Sequence, residues 1–340
     1  MKSHFRVLGA GVWGLSFSDY LIELGHKVEV FCRDVNLSNK NLNGLDLSNL
    51  SNIDIKPLDT LDDYKAQDVI NIIATSSKGF DSLLNKHLNY FHGANQLVSL
   101  TKGIDHESGM LFSDKIAAAF GVNLKYGLIS GPSFAKDLSS RKKMSVSFAS
   151  NEKQLTDIMI KSTKSSYFEM IATPHIYHIE IAGIIKNIAA IVCAIADNYF
   201  GKGKYTNSII KKACDETWQM SHQQLYILPF ENDNDEKNIN DYLSKEREKI
   251  MTSPGYIGDM ILTCKQSHSR NYQFGNLISQ SDIKIEDARN KIGTVEGYDC
   301  CITLAEKSLL KQGDLTNLLY NIINCNSDKR EKLLKDFLQS

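Results

Sequence analysis

Proline is scarce in this 340-residue chain, with five residues in all, too few for a Pro-rich linker. Net charge is almost nil, 39 Lys and Arg against 40 Asp and Glu. The basic excess with which a nucleic-acid binder neutralises phosphates is therefore missing, and no nucleic-acid partner is expected. The seven cysteines (Cys32, Cys193, Cys214, Cys264, Cys300, Cys301, Cys325) include no C-x-x-C pair. Neither a zinc site nor a redox motif is signalled, and no metal is expected. Cys193 lies in apolar sequence and reads as a small core residue. The opening MKSHFRVLGAG has no long apolar run ahead of a small-residue cleavage site. A secretory leader is not expected, and a reducing cytoplasm is the default location.

Long apolar runs are equally rare. One stretch, Ile176 to Ala196, reads IYHIEIAGIIKNIAAIVCAIA and is about long enough to span a bilayer. It carries His178, Glu180, Lys186 and Asn187, and ionisable groups are costly at a bilayer centre. A buried helix of a soluble domain is predicted, without membrane insertion.

What is present is ordinary globular composition, 42% hydrophobic and 23% charged, at a length that predicts two domains. Residues 4–9, 27–32, 68–75, 95–101, 124–130 and 144–150 read as strands, with helical stretches between most of them. Strands that are apolar throughout, joined by helices, predict a doubly wound parallel sheet of the Rossmann-like α/β kind. Gly25 is placed to stop the first helix. Beyond about residue 172 strand-like runs vanish and helical periodicity takes over, predicting an all-α second domain. The division expected is 1–172 and 173–340. The polar stretch 229–249 reads as an exposed insertion.

Gly9, Gly11 and Gly14 form a G-x-G-x-x-G that follows a strand directly and opens a helix. In that setting Gly9 permits the tight turn, Gly11 lets backbone approach a pyrophosphate, and Gly14 lets helix pack on strand. The helix N-terminus then faces the negative charge. Asp34, at the end of the second strand, is placed to meet a free ribose hydroxyl, whereas adjacent Arg33 suits a 2′-phosphate. The pair narrowly favours NADP(H) over NAD(H).

Lys186 and Asn187 are the only polar side chains between Ile181 and Ala196. A buried ammonium must find a partner, lose its proton or line a cavity, which suits an acid–base catalyst. The competing reading has Lys186 snorkel to the surface. Lys102 follows the strand NQLVSLT at the carboxyl edge of the sheet, where open α/β sheets bind ligands. In ISGPSFAK, Gly131 and Pro132 set a turn, and Ser133 begins a helix whose N–H groups suit an anion or carbonyl. Asp259 is a candidate helix cap or partner to a buried lysine. Arg270 beside Asn271 offers a forked cation and an amide to a phosphate.

As a set, GAGVWG, IIATSSKGF, SLTKGID, ISGPSFAK, IAGIIKNIAAIVCAIAD, GDMILTC, SRNYQFG and TVEGY cover most of the chain up to about residue 298. They closely resemble the soluble NAD(P)-dependent glycerol-3-phosphate dehydrogenases. The resemblance implies hydride transfer between dihydroxyacetone phosphate and sn-glycerol 3-phosphate, in a homodimeric enzyme that supplies glycerol 3-phosphate for phospholipid synthesis. It implies that Lys186 is the acid–base lysine, with Asn187 beside it, and that Asp259 and Thr263 are active-site residues. Lys102 matches a lysine that contacts substrate and cofactor. Gly131, Ser133, Ser269, Arg270 and Asn271 match substrate contacts. Val12, Trp13, Arg33, Ala135, Arg270 and Glu296 match cofactor contacts.

Departures from the family pattern cluster in the second half: NYFGKGKYTNS after Asp197, Lys212 where an arginine is common, and Tyr256-Ile257 before Gly258-Asp259. Two alternatives remain beside the main reading. One is a related hydroxyacid dehydrogenase with a carboxylate substrate; the other is a non-catalytic dinucleotide sensor that kept the fold.

Overall fold

Short apolar stretches rich in β-branched and aromatic residues build the sheet of the first unit in the computed structural model, which describes residues 2–36, 45, 52–121, 124–226, 243–280, 283–309 and 314–339. The chain divides into two compact units, Met1–Asp105 with Met110–Ile176, and His106–Gly109 with Tyr177–Ser340.

In the first unit the strands are β1 (His4–Leu8), β2 (Lys27–Cys32), β3 (Asp54–Pro57), β4 (Ile70–Ile73), β5 (Gln96–Ser99), β6 (Lys125–Ser130), β7 (Met144–Ala149) and β8 (Phe168–Thr173). They form one sheet in the order β3-β2-β1-β4-β5-β6-β7-β8. The order reverses at β1 and β4, the switch point where doubly wound sheets open a crevice. All pairings are parallel except β6 with β7. The wholly parallel sheet expected from sequence is corrected there. The link from β6 to β7 holds only the short α5 (Ala135–Ser139), which packs on α1 (Val12–Glu23), and the chain returns in the opposite sense. Beyond it, β8 pairs with β7 in parallel, with α6 (Lys153–Thr163) as the crossover.

The sheet is covered on both faces. Phe5, Val7, Val30, Ile72 and Phe148 pack with Leu15 and Phe17 of α1 and with Leu155 and Met159 of α6. Leu8, Phe31, Ile73 and Leu97 pack with α2 (Ser77–Lys86), α3 (Leu88–His92) and α4 (Phe112–Phe120). Gly25, at φ +83°, ends α1 as expected: its N–H donates to Ile22 O at 2.8 Å and that of His26 to Leu21 O at 3.1 Å. This is the paired closure that a left-handed glycine makes possible.

The second unit is helical among its described residues. Its centre is α7 (Ile176–Phe200), buried at every residue from His178 to Ala196, as predicted for a core helix. Around it in sequence follow α8 (Thr206–Tyr226), α9 (243–251), α10 (Asp259–Lys265), α11 (Arg270–Ile278), α12 (Ile285–Ile292), α13 (Glu296–Glu306), α14 (Leu315–Asn324) and α15 (Ser327–Gln339). Of the stretch read as an exposed insertion, 229–242 lies outside the described residues. The remainder belongs to α9, where Ser244, Lys245, Arg247, Glu248 and Lys249 are exposed and Leu243 is buried. Departures from the family pattern also take structural roles: Tyr256 is fully buried and its hydroxyl donates to Cys214 O at 2.7 Å.

Candidate active site

The glycine loop of the first unit has the geometry its sequence requires. Gly9 stands at φ +123°, and a Cβ there would lie 2.5 Å from Ala74 O. At Gly14 a Cβ would lie 2.4 Å from Gly9 O, so helix α1 approaches β1 as closely as it does only because that atom is missing. Gly11 is the exposed N-cap of α1, without a side-chain cap and with no acidic residue in the first turn. The leading N–H groups of a twelve-residue helix are thus left for an anion. These residues fit a dinucleotide.

Of the other predicted contacts of this unit, Trp13 and Ser133 are brought together. Trp13 Nε1 donates to Ser133 O at 3.1 Å, joining a predicted cofactor contact to a predicted substrate contact. Ser133 does not begin a helix: α5 starts at Ala135 with Phe134 as its N-cap, and the Ser133 hydroxyl donates to Gly131 O at 3.2 Å. The turn set by Gly131 and Pro132 keeps this hydroxyl for itself. Arg33 and Asp34 are exposed just beyond β2, which ends at Cys32 as read from sequence. Asp34 Oδ1 accepts the Asn36 N–H at 2.9 Å, a local turn just past the strand. Val12 is also exposed, at the first turn of α1. Lys102 lies in the segment after β5, followed by Gly103 at φ +134°.

In the second unit Lys186 does not snorkel. Its side chain is 9% exposed and Nζ donates to Asp259 Oδ1 at 2.6 Å, where the carboxylate is 4% exposed. Removing both charges from water is costly, and close pairing offsets that cost while favouring the protonated ammonium. Asp259 follows the π-helical turn Pro254–Gly258, and its own N–H closes that turn on Pro254 O. Wide turns of this kind recur at functional sites. One turn on, Thr263 Oγ1 donates to Asp259 O at 2.7 Å.

An amide chain runs beside the pair. Asn187 Nδ2 donates to Gly183 O at 3.3 Å, and its Oδ1 accepts from Asn271 Nδ2 at 2.9 Å. Asn271 Oδ1 accepts the Gly297 N–H at 3.0 Å. Both amides are thereby oriented, and Asn187, Asn271 and the half-buried Glu296 beside Gly297 are brought into one group. Ser269 is the N-cap of α11, accepting the Tyr272 N–H at 3.1 Å, which leaves Arg270 exposed on the first turn.

The sequence reading missed two supports of this group. Tyr272 donates to Asp197 Oδ2 at 2.5 Å, and Asp197 Oδ1 accepts the Gly203 N–H at 2.8 Å. Burial, with Asp197 alongside, pushes the Tyr272 hydroxyl up, so it stays a donor. The signal was available in the NYFGKGKY departure after Asp197, where a short glycine-containing turn joins α7 to α8. The second is the backbone N–H of Gly297, visible in sequence only as the glycine of TVEGY.

Comparisons agree with these motifs across the chain. Residues 5–156 match the NAD-dependent glycerol-3-phosphate dehydrogenase N-terminus and residues 175–333 the C-terminus of the same family. An NAD(P)+ glycerol-3-phosphate dehydrogenase of Legionella pneumophila (strain Paris) is 26% identical over 301 residues, 86% of this chain and 84% of that protein. The crystal structure of glycerol-3-phosphate dehydrogenase from Coxiella burnetii shares the fold, with a TM-score of 0.78 at 20% identity, covering 100% of this chain and 99% of that one. The yeast enzyme from Saccharomyces cerevisiae does so with a TM-score of 0.73 at 15% identity, each chain covered fully. With both halves of one family matched in order, over the glycine loop and over the lysine–aspartate pair, the chain belongs to the NAD-dependent glycerol-3-phosphate dehydrogenases.

Proposed function

We propose that this protein interconverts dihydroxyacetone phosphate and sn-glycerol 3-phosphate, and that Lys186 is its acid–base residue. The buried Lys186–Asp259 pair carries the reading, because a protonated lysine held by a carboxylate is a ready proton donor in a dry site. A nicotinamide cofactor, when bound, supplies or accepts the hydride. Gly9, Gly11 and Gly14 hold its pyrophosphate at the start of α1, with Val12, Trp13, Ala135 and Glu296 as further contacts. Arg33 and Asp34 meet the adenosine ribose, and the exposed arginine favours a 2′-phosphate and NADP(H).

Arg270, capped by Ser269 and flanked by Asn271, binds the substrate phosphate, with Gly131 and Ser133 as added contacts. The phosphate supplies remote binding energy that orients the carbonyl carbon. As negative charge develops on the carbonyl oxygen, Lys186 Nζ donates its proton there, and Lys102 stabilises the charge. Asp259 holds Lys186 in place, Thr263 fixes the Asp259 turn, and Asn187 offers an oriented amide. In the cell we assign the enzyme to the cytoplasm, as a homodimer supplying glycerol 3-phosphate for phospholipid synthesis.

The test is the decay of reduced-nicotinamide absorbance on adding dihydroxyacetone phosphate, with NADH and NADPH in parallel, for wild type and Lys186→Ala. Rapid decay in wild type alone is expected, faster with NADPH. Reduction of a 2-oxoacid in place of dihydroxyacetone phosphate would indicate a hydroxyacid dehydrogenase. Nucleotide binding without any turnover would indicate a sensor.

A further inference from the structure

The segment that carries Lys102 is anchored on both sides, and the far anchor has no part in the chemistry described above. On the strand side, Thr101 Oγ1 donates to Thr75 O at 3.0 Å and the Thr101 N–H to Ser99 Oγ at 3.1 Å. On the far side, the Asp105 N–H donates to Met110 O at 3.0 Å, closing the neck of the 106–109 excursion. The Asp105 carboxylate, 5% exposed, accepts from Lys115 Nζ of α4 at 3.2 Å. The same ammonium donates to Asp81 of α2. Two helices thus converge on one loop carboxylate.

Lys102 sits between these anchors and next to Gly103, whose φ of +134° is open to glycine but rarely to other residues. A glycine swivel means that the strand alone does not set the direction in which the loop leaves β5. Something beyond the glycine has to. Burial, assisted by the adjacent Asp105 and opposed by Lys115, pushes Asp81 up to about 6, as expected where two carboxylates share one ammonium.

We propose that Asp105, clamped by Lys115 against Asp81, is a positioning residue that fixes the loop conformation in which Lys102 acts. The proposal rests on the reading of Lys102 as a site residue. Its test is a double-mutant cycle between Lys102→Ala and Asp105→Asn, with Lys115→Met as a second way to release the clamp and Lys115→Arg as the conservative rescue. The readout is kcat/KM for dihydroxyacetone phosphate. Where turnover of Lys102→Ala is too slow, the dissociation constant of glycerol 3-phosphate from the enzyme–NADP complex replaces it.

Asp105→Asn and Lys115→Met are each expected to lose about tenfold with Lys102 present, as a displaced catalytic-loop group does. With Lys102 already removed the loss falls below about twofold, which is the coupling a shared mechanism requires. Lys115→Arg stays within about threefold of wild type, since it can bridge both carboxylates. An equal loss in both backgrounds would overturn the proposal and leave Asp105 a structural tie. If Lys102→Ala itself costs nothing while Lys186→Ala abolishes turnover, the positioning role and the Lys102 assignment fall together, and the reaction stands.

Discussion

Each unit buries a cation, and the two are held in different ways. Arg6 of β1 is 3% exposed and spends its donors on Glu29 of β2, the Lys65 carbonyl and the Tyr90 hydroxyl. Its guanidinium also lies 5.4 Å from the ring centres of Phe31 and Tyr64. Glu29 in turn takes Lys56 Nζ at 2.8 Å. This is a many-partnered network around a group that does not give up its proton in proteins. Lys186, also buried, meets Asp259 with a single compact ammonium that can give up a proton. The desolvation problem is shared; under the proposed function the arginine serves architecture and the lysine chemistry.

The sharpest way to break that contrast is to remove the charge from each unit. Lys186→Met should lower kcat by about 10²–10⁴. The double variant Lys186→Met/Asp259→Leu should recover near-wild-type stability in urea titration and stay inactive, since a buried pair is replaceable by apolar packing. An active double variant would refute the assignment. Arg6→Met takes the guanidinium from Glu29 and leaves the carboxylate to Lys56, and a loss of about 1–3 kcal/mol in unfolding free energy is expected, with kcat of the folded fraction unchanged.

A pH series sharpens the comparison further, because one buried glutamate in each unit is shifted in opposite directions. Burial opposes ionisation of Glu29, but hydrogen bonds from Lys56 and Arg6 prevail and hold it at about 2, below its ordinary 4.5. Its contribution is present above pH 4.5 and is lost as pH falls toward 2. Glu216 of α8 caps α14, accepting the N–H groups of Leu315 and Thr316 at 2.7 and 3.3 Å. Burial, with Asp314 adding to it, outweighs those bonds and raises Glu216 to about 7. A raised carboxyl contributes stability that declines as pH rises from 4.5 to about 7. Urea midpoints against pH should show both slopes, with Glu29→Gln removing the acid one and Glu216→Gln the other. The smallest effect expected is for Trp13→Phe, which loses the bond to Ser133 O and about 0.5–1.5 kcal/mol by thermal unfolding.

The two units also differ in how much of them was legible. Strands β1, β2 and β4 to β7 read correctly because both faces are covered, so most of their residues are buried and apolar even with Arg6, Glu29 and Asn71 among them. β3 and β8 were missed, and both are edge strands: β3 is half-buried, and β8 turns Glu169, Ile171 and Ala172 to solvent. An edge strand has a weaker hydrophobic signature because half its surroundings are water. In the helical unit, α9, α14 and α15 went unread, although α14 buries Leu315, Leu318, Leu319, Ile322 and Ile323. Their signal lay in periodicity beyond the motifs that drew attention.

Sequence by itself determined the alternation of strand and helix, the glycine turn at the β1–α1 junction, and a central apolar helix with one charge too many. These follow from local terms: side-chain periodicity, the left-handed backbone that glycine tolerates, and the cost of an isolated buried ammonium. Only the tertiary structure decided which group answers that ammonium. Asp259 lies 73 residues from Lys186, Asn271 lies 84 from Asn187, and Lys115 reaches Asp81 across 34. No periodicity encodes such pairs, because they are set by how helices and strands pack, and packing is a property of the whole chain.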